Sequence, residues 1–400
     1  MRIRSFTKLF VVTSLAMSAA IAACGDDDNY VVRTRGDGGT DAAAEGGEGG
    51  INALACGVPI PTTYESPNFA VNVKEEVDLK ENVLKIGDKM KTAEGPTPLT
   101  VTTADLQALF TAGAPSLRSV ATAFAQVTVD TYLMQFGDAA PKTWKPEDVE
   151  ADGGADGGTD GGVPVGGKYD NASIVNAVGV DLREASEKIL INGSLYNYAL
   201  ALAGGAITEA TVDRLLALYG ATPALLNSTD GGVDANELIA EYASKRDSKI
   251  GAPGPYRKIR TALLVMKAAA ANGDKCRADF DGALKVFFLE WEKTSFATVI
   301  YYLNQAATSA TAIPAQGQLA LHAYGEALGF AQSFKGVPQD RRKITDVQID
   351  AILQRIGATT PYQLVTRTGE RVVAFNTAFQ EIGAIYGMTQ TDIEDAKKAY

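Results

Sequence analysis

The sequence predicts an all-α protein: a multi-helix array of two related helical bundle units. Three observations predict it. Apolar residues recur at helical spacing along most of the chain. The helical stretches open at Thr, Asp or Pro and stop at Gly. No convincing run of alternating apolar and polar residues points to a sheet. The densest apolar stretch, Ala283 to Phe334, holds Trp291, one of two tryptophans, and His322, the only histidine. It reads as two long helices broken near Pro314 and sits at the centre of the predicted core.

Residues 1–24 read as a lipoprotein signal. Arg2, Arg4 and Lys8 form a basic start, and Leu9 to Ile21 is a mostly apolar run ending in small residues. That run is too short for a comfortable membrane span. It closes on Ile21-Ala22-Ala23-Cys24, which resembles a bacterial lipobox. The resemblance implies cleavage before Cys24, lipidation of its thiol and acylation of the new amine. Three acyl chains exceed the two signals that stable anchoring needs. An ordinary secretory signal with a chance cysteine is the alternative. Gly25 rather than Asp follows the cysteine, which favours the outer membrane, facing periplasm or surface. Residues 25–55, rich in Gly, Asp, Ala and Glu, then form a disordered acidic tether.

The first helical unit is expected over 56–250. Val77, Leu79, Val83, Leu84, Ile86 and Met90 give one helix within about 73–93. Thr102 with Asp105 starts a second, and Pro115 a third running towards Phe136. A disordered insertion follows at about 147–168, where Ala-Asp-Gly-Gly repeats lack the spacing of a calcium loop. A helix is expected from Asn171 to Ala203 and another from Thr208 to Tyr219, stopped by Gly220. Asp234 with Glu237 caps a further one.

The second unit is expected over 251–400. Pro255 opens a helix that Gly273 closes, and the central pair follows. Thr345 with Gln348 caps Ile349 to Ile356, stopped by Gly357. The next helix runs from Thr368 to Tyr386, and Thr391 caps a short last one.

An internal echo supports two units. ITEATVDRLLALYGAT at 207–222 and ITDVQIDAILQRIGAT at 344–359 share seven of sixteen positions. Shared cap and stop signals account for part of this. They do not demand Asp213 and Asp350, or both Gly-Ala-Thr endings. Related units packed side by side place a cleft between them, a common location for ligands.

The formal charge is −11, and loss of residues 1–23 takes it to −14 because Arg2, Arg4 and Lys8 go with them. Such an acidic protein is a poor partner for nucleic acid. Of three cysteines, Cys24 takes lipid, leaving Cys56 and Cys276 to pair in an oxidising compartment or to remain two buried thiols. No Cys/His cluster suggests structural zinc.

His322 and Glu326 stand four apart on one helical face. With Glu290, Glu292, Asp279 and Asp281 nearby in sequence, they could hold a divalent metal or iron. The simpler reading is a half-buried histidine bonded to its own i+4 glutamate. Trp291, Tyr301, Tyr324 and Phe330 are either core or the aromatic wall of a ligand cleft. No GxSxG elbow, P-loop or GxGxxG is present, so the sequence favours a non-enzymatic protein without an organic cofactor.

The run Leu-Ala-Leu-His322-Ala-Tyr-Gly-Glu326-Ala-Leu-Gly-Phe, the Trp291-Glu292-Lys293 segment and the lipobox resemble a family of bacterial envelope lipoproteins known as a domain of unknown function. More remotely the chain is similar to imelysin-like proteins, which are all-helical, built of two bundles, and linked to iron uptake or to peptidase activity. Their GxHxxE marker is not met: Gly317 lies five before His322 and the glutamate four after. The expectation is a lipid-anchored, non-enzymatic envelope protein that binds a small ligand or envelope partner. An imelysin-like metal or iron protein, or a metallohydrolase using His322 and Glu326, is the alternative.

Overall fold

The computed structural model describes residues 53–151, 165–228, 236–247 and 249–398. Cys24, the signal, most of the tether, Asp234 and most of the insertion lie outside the described residues. The fold is all-α. Its main helices are α1 (Lys74–Lys91), α2 (Thr103–Phe110), α3 (Ala123–Ala139), α4 (Leu182–Leu190), α5 (Asn197–Ala203), α6 (Glu209–Tyr219), α7 (Leu238–Arg246), α8 (Pro255–Ala271), α9 (Arg277–Thr311), α10 (Gly317–Gln332), α11 (Asp346–Ile356), α12 (Thr368–Ile385) and α13 (Gln390–Ala396). The strands among the described residues form one antiparallel hairpin, β1 (Gly167–Tyr169) with β2 (Ser173–Val175), pairing Lys168 with Ile174.

Local signals set many boundaries. Thr102 and Asp105 form a reciprocal capping box, as do Thr345 and Gln348. Gly220 (φ 101°) and Gly357 (φ 77°) end α6 and α11 in the left-handed region, where a side chain would be strained. Pro255 opens α8.

Other boundaries differ from expectation. The segment after Pro115 is two pieces, because Ser116 caps a short turn (Leu117–Val120) and Thr122 caps α3 afresh. The helix expected from Asn171 begins only at Leu182. Val175 pairs in the hairpin, Gly179 turns the chain at φ 92°, and Asp181 supplies the cap. Glu237 is itself the residue preceding α7 and makes no side-chain cap, and Thr389 rather than Thr391 caps α13. Between α4 and α5 the helix widens into a π-turn, Ile191–Tyr196. Gly193 within it lets α3 pack close, since a Cβ there would stand 2.5 Å from the Ala125 Cβ.

The central pair is α9 and α10, broken at Ala312 to Gln316. α9 packs on α8, α10, α7, α12 and α13, while α10 packs on α4 and α11. A continuous hydrophobic core joins helices from both halves of the sequence. At its middle, Asn192 of the π-turn donates to Ser295 and Ser333 at 3.1 and 2.9 Å and accepts from Trp291 Nε1 at 2.9 Å. A buried amide this well satisfied fixes how α9 and α10 meet the π-turn.

The amino-terminal segment is strapped down at two points. Cys56 and Cys276 form a disulfide, and Asp279 accepts from the N–H groups of Ala55 and Cys56 at 2.9 and 3.2 Å. Buried Asp213 accepts from Tyr64 Oη (2.7 Å), Ser66 Oγ (2.6 Å), Asn72 Nδ2 (2.7 Å) and Lys267 Nζ (2.9 Å). Its counterpart in the internal echo, Asp350, is exposed and pairs with Lys335 at the surface. Among the described residues no helix is long and apolar enough to cross a membrane.

Candidate metal centre

The candidate site lies where α4 meets α10. Two glycines one helical turn apart allow the approach. A Cβ on Gly325 would stand 2.8 Å from the Asp181 Cβ, and one on Gly329 would stand 2.8 Å from the Lys188 Cβ and 2.9 Å from the Ala185 carbonyl. Small residues here let the backbones close, so side chains from the two helices interleave. The site therefore draws on both halves of the sequence.

His322 is the solvent-facing member, its side chain 31% exposed. Its Nδ1 lies 3.2 Å from Asp181 Oδ2. Asp181 also caps α4, accepting from the Glu184 N–H at 3.3 Å. In the neutral imidazole, an Nδ1–H held by a carboxylate leaves Nε2 as the unprotonated ring nitrogen. Nε2 faces Glu184 Oε1 at 3.7 Å and Glu326 Oε1 at 3.8 Å. Donor atoms of Glu184, His322 and Glu326 all lie within 4.8 Å of one another. In metal sites an outer carboxylate commonly orients a ligating imidazole, as Asp181 does for His322.

Two cations share the cluster. Lys188 Nζ lies 2.8 Å from Glu187 Oε1, 3.2 Å from Glu184 Oε2 and 3.5 Å from Glu326 Oε2. Arg183 pairs with Glu184 Oε1 and places Nε 3.1 Å from both oxygens of Glu94. Five carboxyl groups thus face two fixed cations, and the shortfall of positive charge favours protonation within the cluster. Burial disfavours a charged His322, but the bond to Asp181 and the charges of Glu184, Asp181 and Glu326 lift its pKa to about 9. Burial pushes Glu326 up to about 7 against the pull of Lys188. Burial also works against the charge on Lys188, yet Glu187 and its fellow carboxylates hold it protonated.

Of the residues expected at a site, His322 and Glu326 come together, and the other expected carboxylates do not join them. Glu292 accepts from the N–H groups of Lys343 and Ile344 and from Tyr386 Oη. Glu290 pairs with Lys258, Asp281 with Arg277, and Asp279 holds the amino-terminal strap. Asp181 and Glu184 take their place, from a helix 141 residues away in sequence in the case of Asp181. The aromatic cleft wall is corrected too. Trp291, Tyr324 and Phe330 are fully buried core side chains. Tyr301 is half-buried, with the Arg246 guanidinium 4.4 Å above its ring. Burial of large rings is the stronger drive when they lie on the most enclosed helices.

No family model matches this chain, and no curated protein or solved structure is detectably similar to it.

Proposed function

We propose that the protein is a lipid-anchored, envelope-facing binding protein and that it binds a first-row transition-metal dication at His322, Glu184 and Glu326. The observation that supports this most is the commitment of His322 Nδ1 to Asp181, with Nε2 turned towards two carboxylate oxygens at 3.7 and 3.8 Å. One imidazole and two carboxylates suit Mn²⁺, Fe²⁺, Co²⁺ or Zn²⁺ better than Mg²⁺ or Ca²⁺, which prefer all-oxygen sets. The local excess of carboxylates supplies the field such an ion needs. The lipobox-like Ile21-Ala22-Ala23-Cys24 supports the anchor. The reading is binding rather than catalysis.

A second reading has an observation of its own. The raised pKa of His322 lets a proton, rather than a metal, fill the space between Nε2 and the two carboxylates. Metal analysis and calorimetric titration of the protein with Mn²⁺, Fe²⁺, Co²⁺ and Zn²⁺ separate the two. Stoichiometric binding that disappears in His322→Ala supports the metal centre. No binding at micromolar ion, with the variant folded, leaves a protonated ion-pair cluster.

A further inference from the structure

Resting on the cation-site reading, we propose that the two cations of α4, Lys188 and Arg183, play opposite parts. Lys188 is a positioning residue that splints the carboxylate pair for the incoming ion. Arg183 is the internal rival that the ion displaces.

The atoms divide in that way. Lys188 reaches the Oε2 atoms of both glutamates, at 3.2 Å for Glu184 and 3.5 Å for Glu326. Their Oε1 atoms are the ones facing His322 Nε2. A carboxylate is rigid and planar, so a tie on one oxygen sets the direction of the other. Lys188 thus aims both ligand oxygens at one point and offsets the repulsion between two adjacent carboxylates. Its own place is fixed by Glu187 at 2.8 Å, by the Tyr242 ring 6.0 Å away, and by the missing side chain of Gly329. No ligand-facing oxygen is among its partners.

Arg183 is placed differently. Its Nη1 pairs with Glu184 Oε1, the oxygen the ion would need. Its Nε holds Glu94 through both oxygens at 3.1 Å, so release of Glu184 leaves the guanidinium with a partner. Its side chain is 15% exposed against 5% for Lys188. Arg183 has an exit, and an anchor in Glu94 away from the ligand oxygens; Lys188 is the more enclosed of the two, and its anchor, Glu187, holds it beside both Oε2 atoms.

The test is Co²⁺ titration of the full chain, followed by affinity and by the visible d–d spectrum, in wild type, Lys188→Met and Arg183→Met. Simple charge bookkeeping predicts that losing either cation tightens binding. The proposal predicts opposite signs. Lys188→Met weakens binding by roughly tenfold or more and alters the d–d bands, as loss of an orienting partner does in metal sites. Arg183→Met tightens binding. A Lys188→Met protein that binds as tightly as wild type or tighter, or an Arg183→Met protein that binds no tighter, overturns it. Wild-type protein that takes up no cobalt, manganese, iron or zinc sinks the cation reading itself, a separate outcome. Should circular dichroism show either variant unfolded, the structure of cobalt-loaded wild type decides. Lys188 must remain on both Oε2 atoms and Arg183 must have left Glu184; any other arrangement overturns the proposal.

Discussion

Asp181 does two jobs for His322: it holds the ring nitrogen Nδ1 at 3.2 Å, and by capping α4 it fixes the helix that carries Glu184. Asp181→Asn keeps a capping side chain but can present an amide to Nδ1, which unsettles the tautomer. Its expected effect is a roughly 10–100-fold loss of cation affinity with little change in fold. Calorimetric titration beside circular dichroism measures both, and unaltered affinity would remove Asp181 from the site.

Gly329 sets the spacing between α4 and α10. Gly329→Ala adds a methyl 2.8 Å from the Lys188 Cβ and 2.9 Å from the Ala185 carbonyl, so the helices must part. Overpacking of this kind costs about 1–3 kcal/mol. Urea denaturation should show that loss, with weaker cation binding alongside it. Gly369, with open space around it, is the control position: its alanine variant should lose no stability and can gain up to about 1 kcal/mol.

The internal echo yields a sharp contrast. Asp213→Ala strips Tyr64, Ser66, Asn72 and Lys267 of a shared buried acceptor and leaves Lys267 with Glu209 alone, and breaking a buried pair costs about 3–5 kcal/mol. Asp350→Ala removes an exposed partner of Lys335 and should stay within about 0.5 kcal/mol. Equal effects in chemical denaturation would contradict the burial described here.

Reduction of Cys56–Cys276 releases the strap while leaving Asp279 and Asp213 in place. The bond spans 220 residues of sequence, and loss of a native disulfide costs about 2–5 kcal/mol. The Cys56→Ser/Cys276→Ser double variant should lose that stability and become indifferent to reductant. Wild type should match it only in reductant.

Glu94 gives stability a pH slope. Burial, opposed by Arg183, raises its pKa from 4.5 to about 7. The folded protein therefore binds the proton more tightly than the unfolded chain does. The associated stability is fully present below pH 4.5 and fades as pH rises through about 7. Calorimetry between roughly pH 5 and 8 should show a falling midpoint whose slope is shallower in Glu94→Gln. An unchanged slope in that variant would reassign the effect to other buried carboxyls.

The residues legible in the sequence are those whose partners are close in it. Thr102 with Asp105, Thr345 with Gln348, and the stops at Gly220 and Gly357 are settled within a few residues by backbone hydrogen bonding. His322 with Glu326 is readable for the same reason. Asp181 and Glu184 were not, because only packing of α4 on α10 brings them there. The nearest written signal is the pair Gly325 and Gly329, whose spacing marks a helix face made for close contact. The π-turn is not legible in the sequence because its Asn192 finds all three of its partners on α9 or just beyond α10. Trp291, Tyr324 and Phe330 looked ambiguous since enclosure, not residue type, separates a core ring from a pocket wall.

The strap at Cys56 also sets how the protein would bear mechanical load. Tension applied from the amino-terminal side reaches Cys56, crosses the disulfide to Cys276, and enters the start of α9, the longest helix. The chain between the two cysteines, including α4 with Asp181 and Glu184, is bypassed by that force. Such a pull would be carried by one covalent link and one helix axis, and α4 would keep its seat against α10.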